Sequence, residues 1–201
     1  MYKYKLSEEA IFIHDTVFIE DIIKINDIDY YKPLWVSDHR SDNDNNLMKD
    51  IYNIIKRFDN PNNLIYFLRN KENWDVIFGG MIIIKYSFLK KVFENNNYLE
   101  VLINSINTRH KRMAFERIIG CLLQFTKNLE NKNNIKTESI NGFILQNLKW
   151  NTNYNDYKIK NIKMDMEKIW LGRENKKKQK NQYLLCILFF LLIIRLIKLN
   201  H

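Results

Sequence analysis

Two adjacent glycines, Gly79 and Gly80, interrupt an apolar run that otherwise extends from Val76 to Ile84. No other feature of the chain limits its fold as tightly. VIF and MIII on either side of the pair are too rich in β-branched residues for a helix and read as buried strand. A glycine pair inside such a run marks a bulge or a place where another group approaches the backbone. Helical patterns follow at once. Ser87 is placed to cap a helix over FLKKVFEN, Asn95-Asn96-Asn97 ends it, and Leu99, Leu102, Ile103 and Ile106 restart the 3.6-residue period. Residues 74–124 are therefore expected to be the centre of an α/β domain: strand, Gly-Gly turn and helices.

The last helix of this stretch carries the densest charge pattern. Thr108 is its expected cap, and Phe115, Ile118, Ile119, Leu122 and Phe125 share one arc of a helical wheel. Arg109, Arg112 and Glu116 fall together on the margin of that arc, spaced by three and four residues and so within side-chain reach. Two chemistries fit. The three form an ion-pair ladder that fixes the helix, or Glu116 is a pocket-rim carboxylate acting as general base while an arginine positions an anionic substrate.

Upstream, AIFIHDTVFI (residues 10–19) predicts a buried strand at Ile11–Ile13 that delivers His14 and Asp15 to its C-terminal edge. In open α/β sheets that edge binds ligands, so Asp15 is either a metal or sugar ligand or the cap of the next turn. YYKPLWVSDHRSDNDNN (residues 30–46) predicts a long loop anchored by Trp35. Its Asp42, Asp44 and Asn46 resemble the start of a calcium loop, but Leu47 replaces the turn glycine and Asn53 the bidentate glutamate. Leu47, Met48, Ile51, Ile54, Ile55 and Phe58 predict an amphipathic helix, and Leu64–Leu68 a short strand. Residues 127–139 read as a polar surface loop or helix end, and 140–150 and 154–166 as strand or short helix on a sheet edge.

The charge of +9 on 201 residues suggests a nucleic-acid partner until it is located. Six of the 32 basic residues and one of the 23 acidic residues follow Arg173, leaving 26 against 22 before it. With no basic cluster before residue 176, nucleic acid is not an expected partner. Cys121 and Cys186 stand far apart with no CxxC or Cys/His spacing, so neither a zinc site nor a disulfide framework is expected. The tail divides into a basic linker at 174–182 and an apolar segment at 183–199 whose Arg195 and Lys198 can snorkel to headgroups. It predicts a C-terminal hydrophobic helix and single-pass membrane anchor, with the globular part (1–173) on the cytoplasmic side. The alternatives for this tail are a core or interfacial helix, or a readthrough extension appended to the domain.

FIHDTVF (12–18), WDVIFGGMIIIKYSFL through RHKRMAFERIIGCLL (74–123) and KIWLGR (168–173), in this order, resemble a family of glycosyltransferase-like proteins of GT-A type that includes proteins of large DNA viruses. The resemblance implies a partial, half Rossmann-like sheet with flanking helices, lacking the nucleotide-binding N-terminal half. It implies Asp15 as the metal and nucleotide-sugar carboxylate with divalent Mn or Mg, Trp74, Phe78 and Gly79 on the acceptor side, and Glu116 as general base. Arg109 and Arg112 complete the expected substrate-binding set. Val17, two residues after Asp15, stands where a second metal-binding carboxylate belongs. The implied activity is transfer of sugar from a nucleotide donor to an acceptor, in an active or degenerate enzyme. The alternative is a non-enzymatic, membrane-associated structural or interaction protein.

Overall fold

A computed structural model describes residues 7–14, 17–19, 28–39, 44–131, 135–144, 148–150 and 166–170. The run MIII becomes β6 (Ile82–Lys85), the middle strand of an antiparallel sheet between β1 (Glu9–Phe12) and β3 (Tyr31–Pro33). Ile82 and Ile84 join the main core, whereas Ile83 and Met81 join a smaller one with Ile28, Leu34, Trp35 and Ile144. Both faces of β6 are thus buried. That is why its sequence shows no polar alternation.

Among the described residues β1 pairs only with β6, and successive side chains on it point to opposite faces. Ala10 and Phe12 pack on the main core, while Ile11 is 44 % exposed. The expectation of a buried strand at Ile11–Ile13 is corrected: this is an edge strand with one packed face. The expected loop at 30–46 is also corrected, since it contains β3 and β4 (Val36–Ser37), with Trp35 fully buried between them. β4 pairs antiparallel with β5 (Val76–Ile77). Short strands made by long-range pairing leave little local signal, and Pro33 disguises β3 further.

Asp44 caps α1 (Asn45–Ile55), its carboxylate accepting from the backbone N–H groups of Asn46 (2.9 Å) and Leu47 (3.3 Å). The acidic letters that mimic a calcium loop thus include a helix cap. Leu64–Leu68 is not a strand but part of α2 (Pro61–Arg69). Five apolar residues are too few to reveal their period; Pro61 at the first helical turn and the buried pair Leu64 and Leu68, four apart, decide for helix. α3 (Tyr86–Phe93) starts one residue before Ser87 without a side-chain cap. The Tyr86 N–H donates instead to the Glu8 carbonyl beside β1 (2.9 Å). α4 (Tyr98–Ser105) follows as expected.

α5 (Arg109–Asn131) is the hub. Thr108 caps it, its hydroxyl accepting from the Lys111 N–H (3.2 Å). Every residue from Ala114 to Gln124 except Glu116 is buried, which means neighbours on all sides of the helix. α1, α2 and α3 pack on it, as does β5. Gly120 permits the last contact: a Cβ there would stand 2.2 Å from the Asp75 carbonyl oxygen.

A third sheet joins β2 (Val17–Ile19), β8 (Met166–Trp170) and β7 (Leu148–Trp150), antiparallel between β2 and β8 and parallel between β8 and β7. The architecture is mixed α/β, with small, mostly antiparallel sheets and helices. Among the described residues no helix is long and apolar enough to cross a membrane. Asp15, the linker at 174–182 and the apolar segment at 183–199 lie outside the described residues.

Candidate functional site

The glycine pair does what its position in the run predicts. After β5 the chain makes one 3-10 turn over Phe78–Gly80, with Gly79 at φ +64° and Gly80 at φ +69°. Only glycine adopts two successive left-handed conformations at little cost. The turn is clasped from two directions. On one side His14 Nε2 donates to the Gly79 carbonyl (2.9 Å), and an added Cβ on Gly79 would come within 2.5 Å of the imidazole. On the other side the Phe115 ring lies 3.2 Å from where a Gly80 Cβ would be.

These contacts locate Glu116. Phe115 meets Gly80 and Gly120 meets Asp75, so the chain from β5 through the Gly-Gly turn crosses α5 along the helical turn that carries Glu116. Glu116 is half-buried there, the one member of a buried eleven-residue stretch to reach solvent, and it has a partner within the fold. Phe78, packed against the small core around Trp35, stands in the same turn. The structure therefore joins Phe78 and Gly79 in one turn held by His14, and places Glu116 next in sequence to the Phe115 ring that packs on Gly80.

The other expected residues are placed differently. Trp74 is 1 % exposed at the far end of β5, its indole N–H donating to the Leu68 carbonyl (3.2 Å). His39 packs edge-on against that indole and donates from Nε2 to the Trp74 carbonyl (3.1 Å). Arg112 is half-buried and engaged, one helical turn before Glu116. Arg109 is exposed at the start of α5. Seven residues of helix, about 10 Å of rise, separate it from Glu116.

Next to Arg109 lies an arrangement that the sequence does not disclose. His110 Nδ1 is 2.9 Å from an Asp50 carboxylate oxygen, and its Nε2 is 3.2 Å from Asp44. Both partners accept, so the doubly protonated ring satisfies both. The hydrogen bonds to Asp50 and then Asp44 raise the His110 pKa above its ordinary value, and His110 heads the causes that hold Asp44 below its own. The three groups join the N-terminal turn of α5 to α1. They do not form a chelate, because the ring nitrogens point in divergent directions, and no metal-holding group of three or more His, Cys, Asp or Glu occurs among the described residues.

A second polar region lies on the face of α5 near Gln124. That side chain is buried and uses its full hydrogen-bonding capacity. Its oxygen accepts from the Tyr31 hydroxyl (3.1 Å) and the Thr137 N–H (2.9 Å), and its nitrogen donates to Asn128 Oδ1 (2.8 Å) and the Ile135 carbonyl (3.1 Å). Burial pushes the Tyr31 hydroxyl pKa far up, so it stays a donor. Lys127 donates to the Thr137 hydroxyl (2.9 Å), and desolvation lowers its pKa. Cys121 is likewise a buried thiol with a pKa raised by burial.

Compared with known proteins, the chain matches no family model, no curated protein and no solved structure.

Proposed function

We propose that this chain is a glycosyltransferase-like protein of GT-A type in which Glu116 is the general base. One observation carries the reading: within the stretch Ala114–Gln124 of α5, the single residue that is not buried is a carboxylate, and it directly follows the Phe115 ring that packs on the glycine turn. The acceptor hydroxyl would meet Glu116 at the rim beside Phe78 and Gly79. Its oxygen forms a bond to the anomeric carbon as the bond from that carbon to the donor diphosphate oxygen breaks, and the proton passes to the Glu116 carboxylate. Arg112, half-buried one turn before Glu116, and Arg109, exposed at the start of the same helix, would oppose the charge of the nucleotide.

The antiparallel sheet β1-β6-β3 fits the edge of a larger mixed sheet, where antiparallel strands are common, and not its parallel, nucleotide-binding half. A half Rossmann-like fragment supplying the acceptor side is therefore part of the proposal. So are a divalent Mn or Mg ion at Asp15 and a membrane anchor at 183–199 that keeps the domain cytoplasmic.

A competing reading also has an observation in its favour: Arg112 and Glu116 both have partners within the fold, as an architectural ladder requires. The chain is then a non-enzymatic membrane-associated structural or interaction protein. Titration of the full chain with nucleotide-sugars and manganese separates the two. Saturable binding supports the transferase, and no binding to any of them removes it. Truncation after Arg173 tests the anchor, with release to the soluble fraction expected and continued carbonate-resistant pelleting contrary to it.

A further inference from the structure

Residues 135–144 are polar enough to pass for a surface loop, yet their backbone is fixed at both ends. Gln124 holds Ile135 and Thr137 against α5. Farther on, the Ile140 and Asn141 N–H groups donate to the Pro33 and Leu34 carbonyls (2.9 and 3.0 Å), the Val36 N–H donates to the Gly142 carbonyl (3.1 Å), and Phe143 pairs with Val36 as a parallel bridge. The segment is held like an extra strand beside β3 and β4. Between it and β5 opens a cleft of about 340 Å³ lined by Asp75, Lys136, Thr137, Glu138, Ser139 and Phe143.

The lining is chemically selective. Phe143 is an apolar ring left 44 % exposed at the wall of a polar cleft. Lys136 and Asp75 are ion-paired at 3.0 Å, so the ammonium is already neutralised, and Glu138 adds an exposed carboxylate. Two carboxylates against one ammonium disfavour phosphate or any other anion. Carboxylate oxygens and the Ser139 hydroxyl offer dense hydrogen bonding to a neutral ligand rich in O–H groups, and the Phe143 ring offers a flat apolar face to its C–H side. A wall fixed in advance lowers the entropic cost of binding such a ligand in an open, wet groove.

We infer that the cleft between residues 136–143 and β5 binds a neutral saccharide. The inference needs no transferase activity, because it rests on the lining of a site distinct from Glu116. Geometry nevertheless links the two. Asp75 lies at one end of β5 and Phe78 follows the other, so three residues of near-extended chain, roughly 10 Å, separate the cleft from the Gly-Gly turn. If Glu116 is a base, the cleft is where the next unit of an oligosaccharide acceptor lies.

The test uses the full chain and an array of neutral oligosaccharides built from glucose, galactose, mannose and N-acetylglucosamine, followed by calorimetric titration of the trisaccharide best retained. Phe143→Ala is expected to weaken that binding about tenfold or more, and Glu138→Gln severalfold, with melting temperatures close to wild type because both side chains are exposed. Retention of no neutral saccharide overturns the inference, as does equal affinity in wild type and both variants, or preference for anionic sugars or peptides. Nucleotide-sugar turnover is measured separately. Saccharide binding without turnover defeats only the transferase reading, whereas turnover with a cleft indifferent to saccharide defeats only this one.

Discussion

The first turn of α5 and its middle belong to one continuous helix and are held by opposite means. From Ala114 to Gln124 the helix is surrounded, and its contacts are mainly apolar side chains plus the close backbone approach at Gly120, with the hydrogen-bonded Gln124 at the end of the stretch. At His110 it is held to α1 by two hydrogen-bonded carboxylates in partial contact with water. Burial is insensitive to pH and salt but intolerant of shape change; the charged clasp is the reverse. Glu116 sits just inside the boundary, with the chemistry of one region and the surroundings of the other.

The difference can be broken most strongly in the middle. Leu122→Ala removes a fully buried side chain from the main core and is expected to cost about 2–5 kcal/mol in urea unfolding. A cost below about 1 kcal/mol would mean that the helix is not enclosed as described. Gly120→Ala adds one methyl against the Asp75 carbonyl, and since backbone must move to admit it, a cost of about 1–3 kcal/mol is expected despite alanine's better helix propensity. Stabilisation by this change would place β5 farther from α5.

The charged end gives the smallest effect, and its sign is set by two shifts. The raised pKa of His110 means that its contribution is complete below the ordinary histidine value near 6.5 and is lost as pH rises through the higher folded value. Asp44, lowered in the fold, contributes fully above its ordinary value of 3.8 and loses that contribution as pH falls through the lower folded value. The clasp is therefore strongest between these two ordinary values. Wild type should lose a little stability from pH 6 to 9, and His110→Asn should flatten that slope. The change will be small because the ring is 35 % exposed and solvent screens the pair. An unchanged slope would show that the clasp contributes nothing.

Legibility in the sequence follows the same division. α1, α4 and α5 were visible because each repeats apolar residues at helical spacing over eight or more positions, and β6 because MIII admits little else. Gly79 and Gly80 announced a close approach, and the structure supplies His14 and Phe115 as the groups that approach. α2 was hidden by a five-residue apolar window, and β3 and β4 by pairing with strands some fifty and some forty residues away. Of the candidate site, Glu116, Phe78 and Gly79 come from one stretch and could be found there. The cleft could not, since Asp75 and Lys136 are 61 residues apart and meet only because Gln124 and β3 hold the 135–144 segment in place.

The account turns on Glu116, and one paired measurement tests it most directly: nucleotide-sugar turnover and melting temperature of Glu116→Gln beside wild type. The substitution keeps size and hydrogen bonding while removing the ability to accept a proton. The account predicts turnover lost by about two orders of magnitude or more, with a melting temperature nearly unchanged. Retained turnover, or a large drop in melting temperature from loss of the pairing with its neighbours, would contradict the role as base and leave Glu116 as architecture.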